Sequence, residues 1–282
     1  MQEVWIGTSG WVYKHWAESF YPRDWPRTQH LEFYFQQFPT VEINATFYRL
    51  PTESMVKGWC RKAPDGFLYA AKGSRYITHM KKLREVKEGL KNYFDRIKHL
   101  RDKLGPILWQ LPPNLKKDLP RLEEFLAQLP KEPYQHAVEF RHESWVDEET
   151  FALLRKYRAA HVWLSSQKMP INFTATASFV YARFHGLENG AAHDYTREEL
   201  EPWAEQLTQF SKQRKPAFVY FNNDCNTRAP LNAKMLMEMV GSLAVAPFPP
   251  EPESDRITTV RSHRTPVTPD FSQPRSKRLG SE

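Results

Sequence analysis

The chain has 282 residues, of which 40% are hydrophobic and 14% aromatic, so it holds enough large apolar side chains to bury a sizeable core. Its 40 basic and 33 acidic residues leave a formal net charge of +7, which favours an anionic partner such as a phosphate, a carboxylate or a nucleic acid. No apolar run approaches the roughly 20 residues of a membrane span, and the N-terminus lacks the pattern of a signal peptide. We therefore expect a cytoplasmic protein with no membrane partner, and its two cysteines fit neither a disulfide framework nor a zinc site.

Eight short β-rich runs follow one another along the chain, and most of them precede a segment with helical periodicity. The runs lie at 4–10, 40–47, 68–74, 105–113, 136–142, 161–166, 179–186 and 217–224. The candidate helices lie near 27–38, 52–63, 85–101, 118–129, 146–157, 196–213 and 230–241, and the sixth helix is missing or very short. Strands that alternate with helices pair in parallel through right-handed crossovers. The sequence therefore predicts an α/β fold, a (β/α)₈ barrel of the TIM type that forms a single domain over residues 1–244.

An open, doubly wound sheet is the rival fold. It would need about five or six strands and usually a glycine-rich phosphate turn after the first strand. The tract IGTSGW, which follows the first strand here, is not such a turn. Beyond the barrel, residues 245–282 are rich in proline and poor in large apolar side chains, so we expect them to form a disordered tail.

The strands show a polar face near their carboxyl ends. Strand side chains alternate, and in the second run Val41 and Ile43 take one face while Glu42 takes the other. In a barrel the outer face packs under the helices and is apolar, so the polar face points into the lumen, close to the mouth where barrel enzymes have their active sites. The predicted site consists of Glu42, Asn44, Lys72, Gln110, Glu139, Arg141, Arg183, His185 and Asn222.

Two interpretations of this cluster remain open. The charged groups can simply neutralise one another, for instance Glu42 with Lys72, and Glu139 with Arg141 or Arg183. However, each buried ion costs several kcal/mol to desolvate, and apolar side chains fill a barrel at less cost, so we favour a functional site. The tract SRYITHMKKL (74–83) after the third strand is either an anion-gripping loop or solvated surface, and the aromatic tract WVYKHW (11–16) either stacks on a ligand or covers the barrel.

Seven tracts of this sequence resemble tracts of a known protein family and occur in the same order. They are IGTSGW (6–11), VEINATFYRLP (41–51), AAKGSRYITH (70–79), WQLPP (109–113), VEFRHESW (138–145), RFHG (183–186) and VYFNND (219–224). They resemble the YecE-like family, which is domain-of-unknown-function family 72, and they cover about residues 4–241. The resemblance implies a TIM-type barrel and brings no established reaction. Relatives often have an acidic residue at the end of the sixth strand, where this chain has Ser165, Ser166 and Gln167.

The leading functional hypothesis is a hydrolase-like enzyme that uses acid/base chemistry on an anionic substrate, for example one that contains a phosphate group. Two carboxylates in unlike surroundings can act as acid and base, and a histidine titrates near neutrality, which assigns catalysis to Glu42, Glu139 and His185. The residues expected to bind the substrate are Asn44, Lys72, Gln110, Arg141, Arg183 and Asn222.

Two alternatives are kept. A divalent metal would use Glu42, Glu139, His185 and Asp224, but the nearby lysine and arginine charges disfavour it, so we expect no cofactor. The other alternative is a binding protein without turnover, for a nucleic acid or a small anionic ligand.

Overall fold

The computed structural model describes residues 3–249, in which eight parallel strands close into a barrel. Each strand pairs with the next one in sequence, and the eighth pairs with the first, with Thr8 opposite Phe221. The (β/α)₈ fold predicted from the sequence is therefore confirmed. The strands are β1 Val4–Ser9, β2 Thr40–Ile43, β3 Leu68–Lys72, β4 Leu104–Gln110, β5 His136–Glu139, β6 Ala160–Ser165, β7 Val180–Phe184 and β8 Ala217–Phe221.

Helices follow every strand except the sixth. They are α1 His30–Phe35, α2 Ala45–Tyr48, α3 Glu53–Lys62, α4 Lys87–Ile97, α5 Leu119–Gln128, α6 Glu148–Lys156, α7 Arg197–Lys212 and α8 Arg228–Val240. In the described chain no α-helix lies between β6 and β7, as the sequence predicted. The first helix is shorter than predicted, because residues 27–29 form a 3₁₀ turn before it.

Several helices begin at the caps that their sequences suggest. The Thr52 hydroxyl accepts from the Met55 backbone N–H at 3.3 Å, which starts α3. Thr196 and Glu199 form a reciprocal capping box at the start of α7. These caps satisfy backbone N–H groups that the first helical turn leaves without partners, so each helix starts at a defined residue after its strand.

The inward faces of the strands fill the lumen. Below the mouth they are apolar or aromatic, and their buried side chains include Leu108, Phe179, Tyr181, Phe218 and Tyr220. The outward faces pack under the helices in two larger apolar clusters. The charged inward residues Glu42, Lys72, Glu139 and Arg183 lie above this layer, towards the carboxyl ends of their strands. No helix within residues 3–249 combines the length and apolar character needed to cross a membrane.

A disordered tail was predicted for residues 245–282, and the part of it beyond residue 249 lies outside the described residues. Within the described part, the Val245 backbone N–H donates to the Val4 carbonyl at 3.1 Å, and that of Phe248 donates to the Phe35 carbonyl at 3.0 Å. The domain boundary at residue 245 stays a prediction.

Gly73, directly after β3, lies too close to a buried tryptophan for any larger residue. A Cβ atom there would lie 2.3 Å from Cε3 of Trp109, which is completely buried. We expect Gly73→Ala to lower the free energy of unfolding by about 1–3 kcal/mol, since the rigid indole has to shift in a packed core. Urea unfolding measures this change.

Gly58, inside α3, is the matched control because a Cβ there meets no atom within 4 Å. Gly58→Ala should stabilise the protein by roughly 0.5–1 kcal/mol, the usual advantage of alanine within a helix. Equal unfolding free energies for the two alanine variants would contradict the proposed clash at Gly73.

Candidate functional site

A single buried guanidinium links the carboxyl ends of three strands. Arg183, on β7, is 0% exposed. Its Nη2 donates to Glu42 Oε1 at 2.7 Å, and its Nη1 donates to Glu139 Oε2 at 2.6 Å. Glu42 lies near the end of β2 and Glu139 at the end of β5, so Arg183 spans the lumen and joins both carboxylates.

The Glu42 carboxylate is satisfied on both oxygens. Besides Arg183, Oε1 accepts from the Ser9 hydroxyl at 2.7 Å, and Oε2 accepts from the Tyr181 hydroxyl at 2.6 Å. Burial alone would raise the pKa of Glu42, but the charges of Arg183 and Lys72 and these two hydroxyl donors hold it below its usual value. Glu42 is therefore an ionised, fixed partner of Arg183.

The Glu139 carboxylate is held in the same way by two arginines. Arg141 Nε donates to Glu139 Oε1, and His185 Nε2 lies 3.4 Å from the same oxygen. Burial opposes ionisation, but Arg141 and Arg183 outweigh it, so the pKa of Glu139 lies well below the usual range. Both predicted catalytic carboxylates are thus ionised at neutral pH.

His185, directly after β7, is a neutral imidazole at physiological pH. Burial and the charge of Arg183 lower its pKa to about 4, against the opposing effect of Glu139. Its Nε2 faces Arg141 Nη2 at 2.7 Å and Arg183 Nη1 at 2.9 Å. Its Nδ1 lies 3.0 Å from the side-chain nitrogen Nδ2 of Asn222. Arg141, Arg183 and Asn222 thus hold the His185 ring in place.

Lys72 ends β3 and differs from the other charged groups in having no close anionic partner. It is 8% exposed, and its Nζ lies 4.4 Å from the centre of the Phe47 ring. Within residues 3–249 its amine makes no hydrogen bond or ion pair. Burial and the charge of Arg183 lower the pKa of Lys72 to about 8, although Glu42 and Glu139 oppose this shift.

Of the other predicted site residues, Gln110 contacts Arg183 directly, whereas Asn44 does not. The Gln110 amide oxygen accepts from Arg183 Nη1 at 3.4 Å. Asn44 is set apart, because β2 ends at Ile43 and the strand alternation ends with it. Asn44 is the N-cap residue of α2 instead. Its amide donates to the Ser9 carbonyl at 3.2 Å, and its buried oxygen has no partner within the described residues.

Two residues of the network were missed by the sequence analysis. Tyr181 shares the inward face with Arg183, and its hydroxyl donates to Glu42, but it was not among the predicted site residues. Ser9 ends β1 on the inward face, and its hydroxyl donates to Glu42. The alternation rule that found Glu42 also places both of these residues in the lumen.

The two loop tracts singled out in the sequence both lie beside the barrel. In the basic tract 74–83, Ile77 and Thr78 are buried, whereas Tyr76 is 43% exposed. The His79 ring packs edge-on against the Phe47 ring, with 5.0 Å between the ring centres, and Phe47 is also the ring that lies under Lys72 Nζ. In the aromatic tract 11–16, Trp16 is completely buried and the Tyr13 hydroxyl donates to the Ser9 carbonyl, so this tract covers the barrel near β1.

The four residues suggested for a metal site are not brought together. Asp224 lies 3.5 Å from His15, whereas Glu42 and Glu139 bind Arg183. Within residues 3–249 there is no group of three or more His, Cys, Asp or Glu side chains that could hold a metal ion. The donor set proposed for a divalent metal is therefore not assembled in this structure.

The charges of the cluster leave a positive excess. Glu42 and Glu139 contribute two negative charges and Arg183, Arg141 and protonated Lys72 contribute three positive charges, which leaves +1. The pairing also differs from the simplest neutralisation scheme, because Glu42 binds Arg183 rather than Lys72. Arg141, whose side chain is 22% exposed, shares Glu139 with Arg183, so Lys72 is the cation of this cluster that has no anionic partner within residues 3–249.

A family model described as "Protein of unknown function DUF72" matches residues 5–255. A DUF72 family protein from Thermotoga maritima has a solved structure that is 30% identical, with a TM-score of 0.78 over 85% of this chain and 99% of that one. A DUF72 family protein from Enterococcus faecalis shares the fold at 17% identity, with a TM-score of 0.75 over 87% of this chain and 98% of that one. The UPF0759 protein YunF of Bacillus subtilis is 26% identical over 271 residues, 84% of this chain and 94% of that protein.

The buried arginine generates a prediction about pH and stability. Arg183→Met should lower the free energy of unfolding by about 3–5 kcal/mol near neutral pH, because it leaves buried Glu42 without its paired cation and removes one of the two arginines that bind Glu139. In the wild type both carboxyl pKa values lie below the usual 4.5, so their contribution is present above that pH and is lost as the pH falls through the folded-state values. In the variant, burial favours protonation, so the loss of stability should shrink as the pH falls towards about 5. Urea unfolding across this pH range measures the difference.

Arg158→Met is the control, because the Arg158–Glu132 pair is 3.5 Å long and largely exposed. This variant should lie within about 0.5 kcal/mol of the wild type at every pH. A pH-independent loss in Arg183→Met would argue that packing, and not charge, accounts for its effect.

Proposed function

The chain belongs to the DUF72 family, and we propose its activity from the site itself because that family is one of unknown function. We propose that the protein is an enzyme that binds an anionic substrate at the mouth of the barrel and acts on it by acid/base chemistry. One observation carries this proposal. Arg183 binds Glu42 and Glu139, and Arg141 shares Glu139, which leaves Lys72 and the Nη1 group of Arg141 for a ligand. A barrel that needed only a packed core would not hold an unpaired, nearly buried lysine there.

Arg141 supplies the first contact for the anion. Its Nε donates to Glu139 and its Nη2 donates to His185, which fixes the guanidinium plane. Nη1 has no hydrogen-bond partner within residues 3–249, so this donor is available to an oxygen of the substrate. Oxyanions accept strong, directional hydrogen bonds from guanidinium groups.

Lys72 is the group we propose for proton transfer. Glu42 and Glu139 are ionised partners of Arg183, and His185 is neutral with a pKa of about 4, so none of the three donates a proton at neutral pH. Lys72, with a pKa of about 8, titrates closest to neutrality. In a hydrolase-like reaction its ammonium would donate a proton to the leaving oxygen while Arg141 holds the anion. The catalytic roles first expected for Glu42, Glu139 and His185 then become the positioning of these cations.

Binding of nucleic acid without turnover is the second candidate. It is favoured by the surface beside the mouth, where Arg75 and Tyr76 are exposed next to Lys81 and Lys82. Phosphate contacts by several cations make affinity fall steeply with salt. An oligonucleotide affinity that is indifferent to salt would exclude this candidate, and the absence of binding at low salt would do the same.

Sulfate is a suitable probe of the anion site because it does not titrate near neutral pH. We expect one sulfate to bind per chain, and Lys72→Met or Arg141→Met to weaken binding about tenfold or more, since each removes a charge-assisted contact of about 1.5–3 kcal/mol. Isothermal titration calorimetry at constant ionic strength measures this. Lys212→Met is the control, because Lys212 is exposed at the end of α7. Unchanged affinity in both mouth variants would overturn the proposal.

The same measurement has a pH dependence. Lys72 loses its charge as the pH rises through about 8, so sulfate affinity should fall over that range in the wild type and stay flat in Lys72→Met. The titratable and charged groups that act on Lys72 or lie beside it are Glu42, His79, Glu139, Arg141, Arg183 and His185. The carboxyl pKa values of Glu42 and Glu139 and the pKa values of both histidines, near 4, lie below this window, and the pKa of Arg183 lies above it, so Lys72 is the group that the pH change discharges.

A further inference from the structure

We infer that Lys72 is a covalent nucleophile, whose amine condenses with the carbonyl carbon of a small anionic aldehyde or keto acid bound at the mouth. This inference rests on the proposed anion site, and it names the substrate class of that site. In the proposed function Lys72 contacts the anion through its charge, whereas here its amine also forms a covalent bond with the substrate.

The backbone around Lys72 is fixed, so the amine is presented from a rigid position. The Lys72 carbonyl accepts from the Thr46 hydroxyl at 2.6 Å, and the next backbone N–H, that of Gly73, donates to the Leu108 carbonyl at 2.7 Å. The side chain extends inward from the end of β3 and is 8% exposed. A nucleophile on a strand end is positioned more precisely than one on a loop.

The Lys72 amine has no hydrogen-bond acceptor within residues 3–249. Both nearby carboxylates are occupied by Arg183, and the Nζ atom lies over the face of Phe47 at 4.4 Å. A lysine that is desolvated and close to another cation is a common form of activated amine nucleophile. With a pKa of about 8, a larger share of the Lys72 side chains is neutral near pH 7 than for an ordinary lysine.

Arg141 determines which carbonyl compounds are bound. It is one of the charges that lower the pKa of Lys72, and its Nη1 has no partner within the described residues. A carboxylate or phosphate on Nη1 would leave a neighbouring carbonyl group facing Lys72. A neutral aldehyde would lack this contact, so the site should prefer anionic carbonyl compounds over neutral ones of the same size.

The chemical step needs no oxidant or metal. The Nζ lone pair attacks the carbonyl carbon, the C=O π electrons move to oxygen, and one proton passes from nitrogen to oxygen to give a carbinolamine. The nitrogen lone pair then forms the C=N bond as the C–O bond breaks, and the departing oxygen takes up a proton and leaves as water. The product is a protonated imine, and for each carbonyl group consumed one water is released.

Reductive trapping tests this inference. The full-length protein is incubated with glyoxylate and cyanoborohydride, which reduces the imine to a stable secondary amine, and labelled lysines are then identified by peptide mass spectrometry. We expect Lys72 to be labelled at least tenfold faster than exposed Lys212 in the same digest. Labelling should rise with pH through about 8 and be slowed by sulfate, and glycolaldehyde, a neutral aldehyde, should label Lys72 more slowly than glyoxylate does.

Lys72→Arg is the matched variant, because arginine keeps the positive charge but forms no such imine. Its digest should lose the mouth label and keep the Lys212 label, and its thermal unfolding midpoint reports whether it folds. In the wild type, equal labelling of Lys72 and Lys212, or no preference for glyoxylate over glycolaldehyde, would overturn the inference. If sulfate still binds through Lys72 and Arg141, the proposed function survives that result; if sulfate does not bind there, the anion site itself is wrong.

Discussion

The ion pairs between one buried arginine and two buried carboxylates constrain the rest of the site. Desolvating a charge costs several kcal/mol, and Arg183 meets that cost only because Glu42 and Glu139 each place an oxygen within 2.7 Å of it. The three residues come from strands β2, β5 and β7, so the closed barrel is what brings them together. The network in turn holds the carboxyl ends of these strands in a single arrangement.

This pairing decides the chemistry that remains available at the mouth. Two carboxylates that are bound to a guanidinium have low pKa values and are poor proton donors, and the arginines also keep His185 neutral. Burial, and then the same arginine charge, lower the pKa of Lys72. The group of this site that titrates nearest to neutral pH is therefore Lys72. The sequence had suggested the acidic residues for this role and Lys72 only for substrate binding.

Eight β-rich runs separated by helical segments were sufficient to predict the barrel, and the alternation of strand residues predicted the inward position of Glu42, Glu139 and Arg183, because both patterns depend on residues close together in sequence. The alternation failed at Asn44, where β2 ends one residue earlier and α2 begins. It also did not predict which carboxylate meets which cation. Strands β2 and β7 are far apart in sequence, and the choice between Lys72 and Arg183 as the partner of Glu42 depends on how the closed barrel places them.

The filled lower lumen has a kinetic consequence for whatever binds above it. Tyr181, Phe218 and Tyr220 occupy the interior below the polar layer, and all three are buried. A molecule that reaches Lys72 from the mouth has no passage downward through these side chains, so it arrives and departs by the same route. A turnover at this position would then be ordered in time, with each product clearing the entrance before the next molecule is admitted, and accumulated product would compete directly with incoming substrate.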